Sequence, residues 1–158
     1  MPSIGAKGLV CPSGEQITNG GFETGDFTGW TYDPSNTGIW GEAHSGSYAA
    51  WIRYDSCASI GYWIKQAFAT PIPVECVKSF SLWITGWCSG YNAIARVHVN
   101  YDDGTETVKD FSVGWYYVVD FIQCSSLKTV LVAGKKIVSI LIEADTCDIS
   151  VDDVSLVC

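Results

Sequence analysis

Acidic residues lie beside glycine-rich turns near both ends of this sequence, and such an arrangement can bind a metal ion. Residues 19–30 (NGGFETGDFTGW) place Glu23 after a pair of glycines, and residues 151–157 (VDDVSLV) contain Asp152 and Asp153. Calcium takes about six to eight oxygen ligands in a loose geometry, and glycine turns allow backbone carbonyls to point inward at one ion. The alternative is that these acids are ordinary solvated side chains, and the residues alone leave both interpretations open.

The sequence carries no recognisable catalytic motif. Asp102 and Asp103 lie in a predicted Asp-Gly turn, where aspartate is favoured for backbone reasons. Neither histidine belongs to a nucleophile motif with serine or cysteine, and no phosphate-binding glycine loop is present. A glycosidase needs two carboxylates at a defined separation across a cleft, and no pattern singles out such a pair. We therefore expect a protein that is not an enzyme, with a small hydrolase or lyase as the weakest alternative.

Composition excludes several classes of partner. The 158 residues are 47% hydrophobic and carry a net charge of −8 with only nine Lys and Arg, which predicts a folded globular chain. Because no basic run is present, we expect no binding to a nucleic acid or an anionic membrane. No apolar stretch is long enough to span a bilayer. The length suits a single domain over residues 1–158, with residues 1–14 as an N-terminal extension.

The cysteines indicate the compartment. None of them forms a C-x-x-C pair, and only two histidines are present, so the spacing does not suit a zinc site. We predict two or three disulfides in an extracellular, oxidising environment. A cytoplasmic protein with reduced thiols is the alternative. The count is odd, so at least one is unpaired or pairs between chains; the positions are 11, 57, 76, 88, 124, 147 and 158.

Strand-like alternation recurs roughly every ten residues between Gly, Pro, Asp and Asn, and helix signals are nearly absent. This pattern predicts a β-sandwich. A strand with one buried face alternates inward and outward side chains, so the aliphatic set is assigned to the core. That set comprises Phe80, Leu82 and Ile84, then Val97, Val99 and Tyr101, and then Val138, Ile140 and Ile142. Residues 101–108 (YDDGTETV) are predicted to form a hairpin with an Asp-Gly turn.

Residues 19–30 (the opening segment) and residues 151–157 (the closing segment) resemble the carbohydrate-binding modules of families 4, 9, 16 and 22. Residues 43–51 (AHSGSYAAW), which lie between them, share this resemblance. The resemblance implies a galactose-binding-like β-jelly roll, an all-β sandwich of two antiparallel sheets. It also implies a structural calcium ion (Ca2+) that joins the two ends of the chain. Glu23 and Asp152 would supply carboxylates to that ion, and backbone carbonyls near Gly21 and Gly46 would supply further oxygens.

The resemblance further implies a sugar-binding groove across the concave sheet. Flat aromatic side chains lie under the apolar face of a sugar ring, and planar polar groups bond its hydroxyls. Alternation selects these outward side chains on the matching strands: Thr31, Asp33, Trp63, Lys65, Arg96, His98, Asn100, Ser139, Leu141 and Glu143. Arg96 is the strongest candidate for a bidentate contact, and Tyr62 flanks the groove if its strand is bulged. The alternative is a solvated sheet face with cross-strand charge pairs.

These features predict a non-catalytic, monomeric module of a secreted or cell-surface protein such as a glycoside hydrolase. Its expected ligand is a β-linked polysaccharide such as β-glucan, cellulose, xylan or mannan. On the opposite sheet, Trp51, Trp83 and Trp87 share an outward face and would form an apolar patch unless nearby loops cover them. The alternative function is a structural or adhesive domain of a surface layer or filament, with contacts between chains through this patch or the odd cysteine.

Overall fold

The computed structural model describes residues 8–88, 92–113 and 118–158, and within these ranges the regular structure is almost entirely β. The strands are β1 (Thr31–Tyr32), β2 (Thr37–Trp40), β3 (Ala49–Ile52), β4 (Tyr54–Asp55), β5 (Ile60–Gly61), β6 (Trp63–Pro73), β7 (Ser79–Trp87), β8 (Ala93–Tyr101), β9 (Glu106–Val113), β10 (Val118–Cys124), β11 (Lys136–Ala144) and β12 (Asp148–Val157). Two short 3-10 segments, Val74–Cys76 and Leu127–Val130, follow β6 and β10. In the described part of the chain, no helix has the length and apolar character needed to cross a membrane.

Ten of the strands form two five-stranded antiparallel sheets that pack as a sandwich. The front sheet has the strand order β1-β6-β11-β8-β9, and the back sheet has the order β10-β7-β12-β3-β2. Strands β4 and β5 form a separate two-stranded ribbon. The predicted all-β jelly-roll sandwich with two antiparallel sheets is thereby confirmed.

Alternating side chains of both sheets form the buried core. The predicted inward residues of β7 and β8 are all buried, and so are the two isoleucines in the second half of β11. Val138 is the exception, because it is half-buried while its neighbour Ile137 is fully buried. The register shifts between Ile137 and Ser139, where β11 carries one residue more than β8. This bulge reverses the alternation locally, so the assignment of Val138 to the core was wrong.

The two ends of the chain are joined along β12. Backbone hydrogen bonds link Gly14 and Cys158 in both directions, at 2.8 and 3.0 Å. The Val154 amide donates to the Gly20 carbonyl at 3.0 Å, and a Cβ placed on Gly20 would lie only 1.9 Å from the Val154 carbonyl oxygen. Only glycine permits this approach of two backbones. The opening and closing segments noted in the sequence are thus in direct contact, while residues 1–7 of the predicted extension lie outside the described residues.

Two disulfides cross-link the sandwich, within the predicted range of two or three. The bond between Cys11 and Cys76 fastens the N-terminal segment to the 3-10 segment after β6. The bond between Cys88 and Cys147 joins the end of β7 to the start of β12. The remaining cysteines are free: Cys57 is exposed, and Cys124 and Cys158 are buried.

Candidate functional site

The outer face of the front sheet brings together most of the predicted sugar-binding residues. They lie on strands that are neighbours in the sheet. Strand register places the outward side chains in three rows: Trp63, Glu143, Arg96 and Asp110; Thr31, Lys65, Leu141 and His98; and Ser139 with Asn100. We call the ionic part of this face the front network, which comprises Arg96, His98, Glu106, Asp110, Glu143 and Asp145.

Arg96 is the centre of the front network. Its Nε and Nη2 donate to the two carboxylate oxygens of Asp110 at 2.8 and 2.9 Å. Its Nη1 and Nη2 also donate to Asp145 at 2.8 and 3.2 Å, and Nη1 lies 3.8 Å from Glu143 Oε1. The hydrogen bonds with Asp110 raise the pKa of Arg96 and lower that of Asp110. The guanidinium group of Arg96, predicted to make a bidentate contact with a ligand, is therefore hydrogen-bonded to carboxylates of the protein itself.

His98 lies between two carboxylates. Its Nδ1 is 2.8 Å from Glu106 Oε2, and its Nε2 is 3.0 Å from Glu143 Oε1. An ionised carboxylate only accepts hydrogen bonds, so both contacts are satisfied together only by the doubly protonated imidazolium. Burial opposes this charge, but the hydrogen bonds with Glu143 and Glu106 outweigh it, and the pKa of His98 is raised overall.

Some of the other predicted sugar-binding residues lie on this face, and Asp33 lies in a turn outside the strands. Trp63 and Lys65 are half-buried on it, and the Asn100 amide donates to Ser139 Oγ at 3.1 Å. Asp33 lies in the turn after β1, where Oδ1 accepts from the Ser35 amide at 2.9 Å. Two further predicted positions are less open than expected: Ser139 is buried, and Tyr62 is half-buried and packs against the core.

Sequence reasoning missed three acids of the front network: Glu106, Asp110 and Asp145. Two of them, Glu106 and Asp110, could have been predicted from the hairpin. Pairing outward from its Asp-Gly turn brings Glu106 opposite Asn100 and Asp110 opposite Arg96, as the structure has them. Asp145 follows the end of β11, and no periodicity extends to that position.

Tryptophans dominate part of the outer face of the back sheet. The ring centroid of Trp40 lies 6.3 Å from that of Trp51 and 6.0 Å from that of Trp87, with interplanar angles of 39° and 47°. We call these three residues the tryptophan layer. Trp83, predicted to join this patch, instead stacks on His44 with 3.6 Å between centroids. Trp40 takes its place because it lies at the end of β2 and reaches across the sheet.

A second group of acids lies where the opening segment meets β12. Asp152 is fully buried, and its Oδ2 accepts from the backbone amides of His44 and Ser45 at 2.8 and 3.1 Å. Desolvation by burial raises the pKa of Asp152. Asp153 has a left-handed φ of 46°, and its Oδ2 lies 2.7 Å from His44 Nδ1. Glu23 completes the group, which we call the terminal acid cluster: Glu23, His44, Asp152 and Asp153.

Glycines make room for these carboxylates. Glu23 Oε1 accepts from the backbone amides of Ser47 and Tyr48 at 2.8 and 3.0 Å. A Cβ on Gly46 would lie 2.4 Å from that same oxygen. A Cβ on Gly21 would lie 3.3 Å from Asp153 Oδ1 and 3.9 Å from Asp152 Oδ1. Of the four positions that the resemblance assigned to calcium, the structure thus places Gly46 beside the Glu23 carboxylate and Gly21 beside Asp152.

The donor set of the terminal acid cluster fits a hard divalent cation. The ligand atoms of His44, Asp152 and Asp153 lie within 4.8 Å of one another, whereas Glu23 stands outside this group and lies against Gly46. Among the described residues, no Lys or Arg forms an ion pair with these acids; the ion-pair partner they have is His44. Carboxylate and carbonyl oxygens are the ligands that calcium prefers. His44 was not predicted, although it adjoins the predicted Ser45-Gly46 turn in the sequence.

Comparison with known proteins identifies the fold. No protein-family profile matches the chain, and no curated protein sequence matches it. Among solved structures, a family 61 carbohydrate-binding module in complex with β-1,4-galactotriose matches with a TM-score of 0.58 and 19% identity, over 90% of this chain and 97% of that one. The C-terminal family 22 module of Clostridium thermocellum xylanase 10B matches with a TM-score of 0.58 and 14% identity, over 89% and 96%. The fold is that of a carbohydrate-binding module.

The same jelly roll occurs alone and inside larger enzymes. A family 16 carbohydrate-binding module matches over 90% of this chain and 99% of its own, with a TM-score of 0.55 and 16% identity. In contrast, the match to a xylanase 10B structure that also contains its catalytic module covers 28% of that chain. The residues described above, and not the fold, must therefore carry any argument about what this chain binds.

Proposed function

We propose that this chain is a non-catalytic carbohydrate-binding module that holds a β-linked polysaccharide against the outer face of the front sheet. The observation that carries the proposal is the row in which Trp63, Glu143 and Arg96 lie side by side on adjacent strands. An indole ring can cover the apolar face of a pyranose, while a neighbouring carboxylate accepts hydrogen bonds from its hydroxyls. The ligand class is supported by similar structures, one with bound β-1,4-galactotriose and another described as a xylan-binding domain.

The front network supplies fixed hydrogen-bond acceptors in this proposal. Arg96 already donates four hydrogen bonds to Asp110 and Asp145, so its role is to hold carboxylates in place. His98 holds Glu143 and Glu106 in the same way. Side chains that are fixed before binding lose little conformational entropy when a ligand arrives. Lys65 and Asn100 add donors to the same face.

A structural calcium ion is the second part of the proposal. Glu23 and Asp152 would hold it together with backbone carbonyls near Gly21 and Gly46, and bound calcium would supply positive charge to otherwise unneutralised acids. The cluster joins the opening segment to β12, so an ion there would fasten the two ends of the chain. The two disulfides support a secreted or cell-surface location for the same protein.

Affinity electrophoresis in gels containing soluble β-glucan, xylan, galactomannan or galactan tests the sugar-binding function. We expect at least one polysaccharide to retard the protein, and Trp63→Ala to weaken the retardation, because the aromatic platform of the front face is removed. Trp63→Phe keeps a ring and should retain part of the effect. Tyr48→Ala removes an exposed aromatic side chain before β3 and serves as the matched control. Unretarded wild-type protein, or equal retardation of Trp63→Ala, would refute the proposal.

The exposed thiol of Cys57 favours a second candidate, a structural domain that cross-links through this cysteine. Sedimentation of the wild type and of Cys57→Ser, with and without reductant, distinguishes the two functions. Assembly that increases with concentration and disappears in Cys57→Ser would support the structural role. A monomer under all conditions would leave the carbohydrate-binding module as the remaining candidate.

A further inference from the structure

A cleft on the outer face of the back sheet lies on the opposite side of the sandwich from the front network. It has a volume of about 310 Å3 and is lined by the tryptophan layer and Asp148. A neighbouring cleft of about 340 Å3 shares Trp87 and Asp148 and adds the polar side chains of Tyr54, Ser56 and Thr146. Each volume is near the lower end of the roughly 300–1,000 Å3 that small-molecule pockets occupy. An apolar half and a polar half therefore adjoin at Trp87 and Asp148.

The indole rings form a bent surface and not a flat one. Trp40 is inclined by 39° to Trp51 and by 47° to Trp87. A flat array of coplanar rings would match the face of a crystalline polymer. Rings inclined at these angles cannot all lie flat on one such face, but they can stack separately on the sugar rings of a single twisted chain. Trp40 is 44% exposed on the edge strand β2, so a chain can approach it from solvent.

A buried hydroxyl without a partner lies in the row beneath these rings. Register places Ser150 between Trp51 and Thr85, on the same outer face. Ser150 is fully buried, and its Oγ is the buried side-chain polar atom that lacks a hydrogen-bond partner among the described residues. Leaving such a group unpaired is unfavourable, so the sheet beneath the cleft is not optimised for stability alone.

Asp148 gives the cleft its polarity. Its Oδ1 accepts from the Tyr54 amide at 2.8 Å, which fixes the carboxylate beside Trp87. Among the described residues, no Lys, Arg or His forms an ion pair with it. Its remaining lone pairs are available to hydroxyl donors, and its charge, in a chain of net charge −8, disfavours acidic sugars.

We propose that this cleft is a second carbohydrate-binding site, which takes a single chain of neutral sugar residues by stacking on Trp40 and Trp87 and by hydrogen bonding to Asp148. The ligand class rests on the proposed function, but the site does not, because the two surfaces share no residue. A module with sites on both faces would contact two polysaccharide chains at once. Linking two sites in this way raises the avidity for a polymer above that for a short oligosaccharide.

Isothermal titration tests the second site with the wild type, Trp63→Ala, Trp40→Ala and the double variant. In the Trp63→Ala background, Trp40→Phe and Tyr48→Ala serve as two further variants. The probes are β-1,4-galactotriose, xylohexaose and cellohexaose, with oligogalacturonate as the acidic comparison. For at least one neutral probe we expect binding to remain in Trp63→Ala. Adding Trp40→Ala should weaken that residual binding about tenfold or more, as expected when a stacked tryptophan is lost. Trp40→Phe should restore part of it, and Tyr48→Ala should leave it unchanged.

The outcomes separate the two sites. Binding that is abolished by Trp63→Ala and unaffected by Trp40→Ala would overturn the second site and leave the front face intact. Binding that survives Trp63→Ala and is lost in Trp40→Ala would support the second site and count against the front face. Tighter binding of oligogalacturonate than of every neutral probe would overturn the assignment to neutral sugars. A wild-type protein that binds none of the probes, and that none of the polysaccharide gels retards, would overturn both proposals.

Discussion

Both sheets are antiparallel, but the polar side chains on their outer faces differ in how completely they are hydrogen-bonded and ion-paired. On the front sheet, the carboxylates of the front network are paired with Arg96 and His98. On the back sheet, the unpartnered hydroxyl of Ser150 lies in the row of Trp51. At the edge next to the opening segment, the acids lack any Lys or Arg ion pair among the described residues. In the front network every carboxylate has a partner in Arg96 or His98, whereas the acids of the back face keep unused charge and hydrogen-bonding capacity.

This difference gives each face its own sensitivity. The front network contains a histidine that titrates, so its contribution to stability depends on pH. The terminal acid cluster contains no strong base, so its contribution depends on a cation. The contribution of the tryptophan layer and Ser150 to stability depends on neither pH nor a cation. The unpartnered Ser150 hydroxyl lowers the stability of the protein even without a ligand. Three measurements exploit these differences, and they are ordered here by the size of the expected effect.

Removal of calcium should have the largest effect. If the ion is present at about 100 times its dissociation constant, its loss lowers the free energy of unfolding by about 2.7 kcal/mol. For a chain of this size that corresponds to a fall in the melting temperature of about 5–10 °C. A chelator titration followed by readdition of Ca2+, monitored by circular dichroism, measures the shift.

Glu23→Gln supplies the matched variant for this experiment, because Glu23 is exposed and its loss should not prevent folding. We expect the variant to melt lower than the wild type and to lose most of its response to chelator. Glu106→Gln removes an exposed acid from the front network and should keep the full response. An unchanged wild-type melt, with no calcium found by elemental analysis, would contradict the calcium site.

The pH dependence of stability should reveal the front network, with an effect of about 1 kcal/mol or less because the pairs are partly solvated. The pKa of His98 is raised in the folded protein above its ordinary value of about 6.5. The stabilisation by its charge is therefore complete below that ordinary value and is lost as pH rises through the folded-state pKa. Urea denaturation between pH 6 and 8.5, a range set by these values, should show the free energy of unfolding falling in the wild type and not in His98→Gln.

The other histidine provides the control for this measurement. His44 contacts Asp153 and stacks on Trp83, on the other side of the sandwich. His44→Gln should retain the fall in stability over the same pH range if His98 is its source. A slope that disappears in His44→Gln and persists in His98→Gln would assign the pH dependence to the back face instead.

Much of the fold and of the front face could be predicted because both rest on simple alternation. Period-two patterns in β7, β8 and most of β11 fixed which side chains face inward, and neighbouring strands then aligned Trp63, Glu143 and Arg96. The calcium positions came from the resemblance of the opening and closing segments, and the structure places Gly21 beside Asp152 and Gly46 beside Glu23. Their occupancy and the sugar contacts stay predictions.

The remaining features depend on interactions that no periodicity records. The bulge at Val138 reverses one step of alternation, because the register is set by both neighbouring strands and not by β11 alone. The tryptophan layer forms because the side chain of Trp40 extends from an edge strand towards Trp87. Alternation assigns Trp40 to a face of the sheet but does not predict how far its side chain reaches. The occupation of the Arg96 fork by Asp145 likewise depends on the position of a residue outside the strands.

Two buried serines offer the finest comparison of the faces. Ser139, on the front sheet, is 4% exposed and accepts a hydrogen bond from the Asn100 amide at 3.1 Å. Ser150, on the back sheet, is fully buried and has no partner among the described residues. Replacing a partnered hydroxyl leaves its partner unsatisfied, whereas replacing an unpartnered one removes a group that was desolvated without compensation.

We therefore expect Ser139→Ala to lower the free energy of unfolding by about 1 kcal/mol and Ser150→Ala to leave it unchanged or raise it by up to about 1 kcal/mol. Urea denaturation under one set of conditions measures both, and the difference in sign is the quantity of interest. If Ser150→Ala destabilises the protein as much as Ser139→Ala, then its hydroxyl has a partner, such as an ordered water beneath the indole rings. The buried polar groups of the back face would then be as fully satisfied as those of the front.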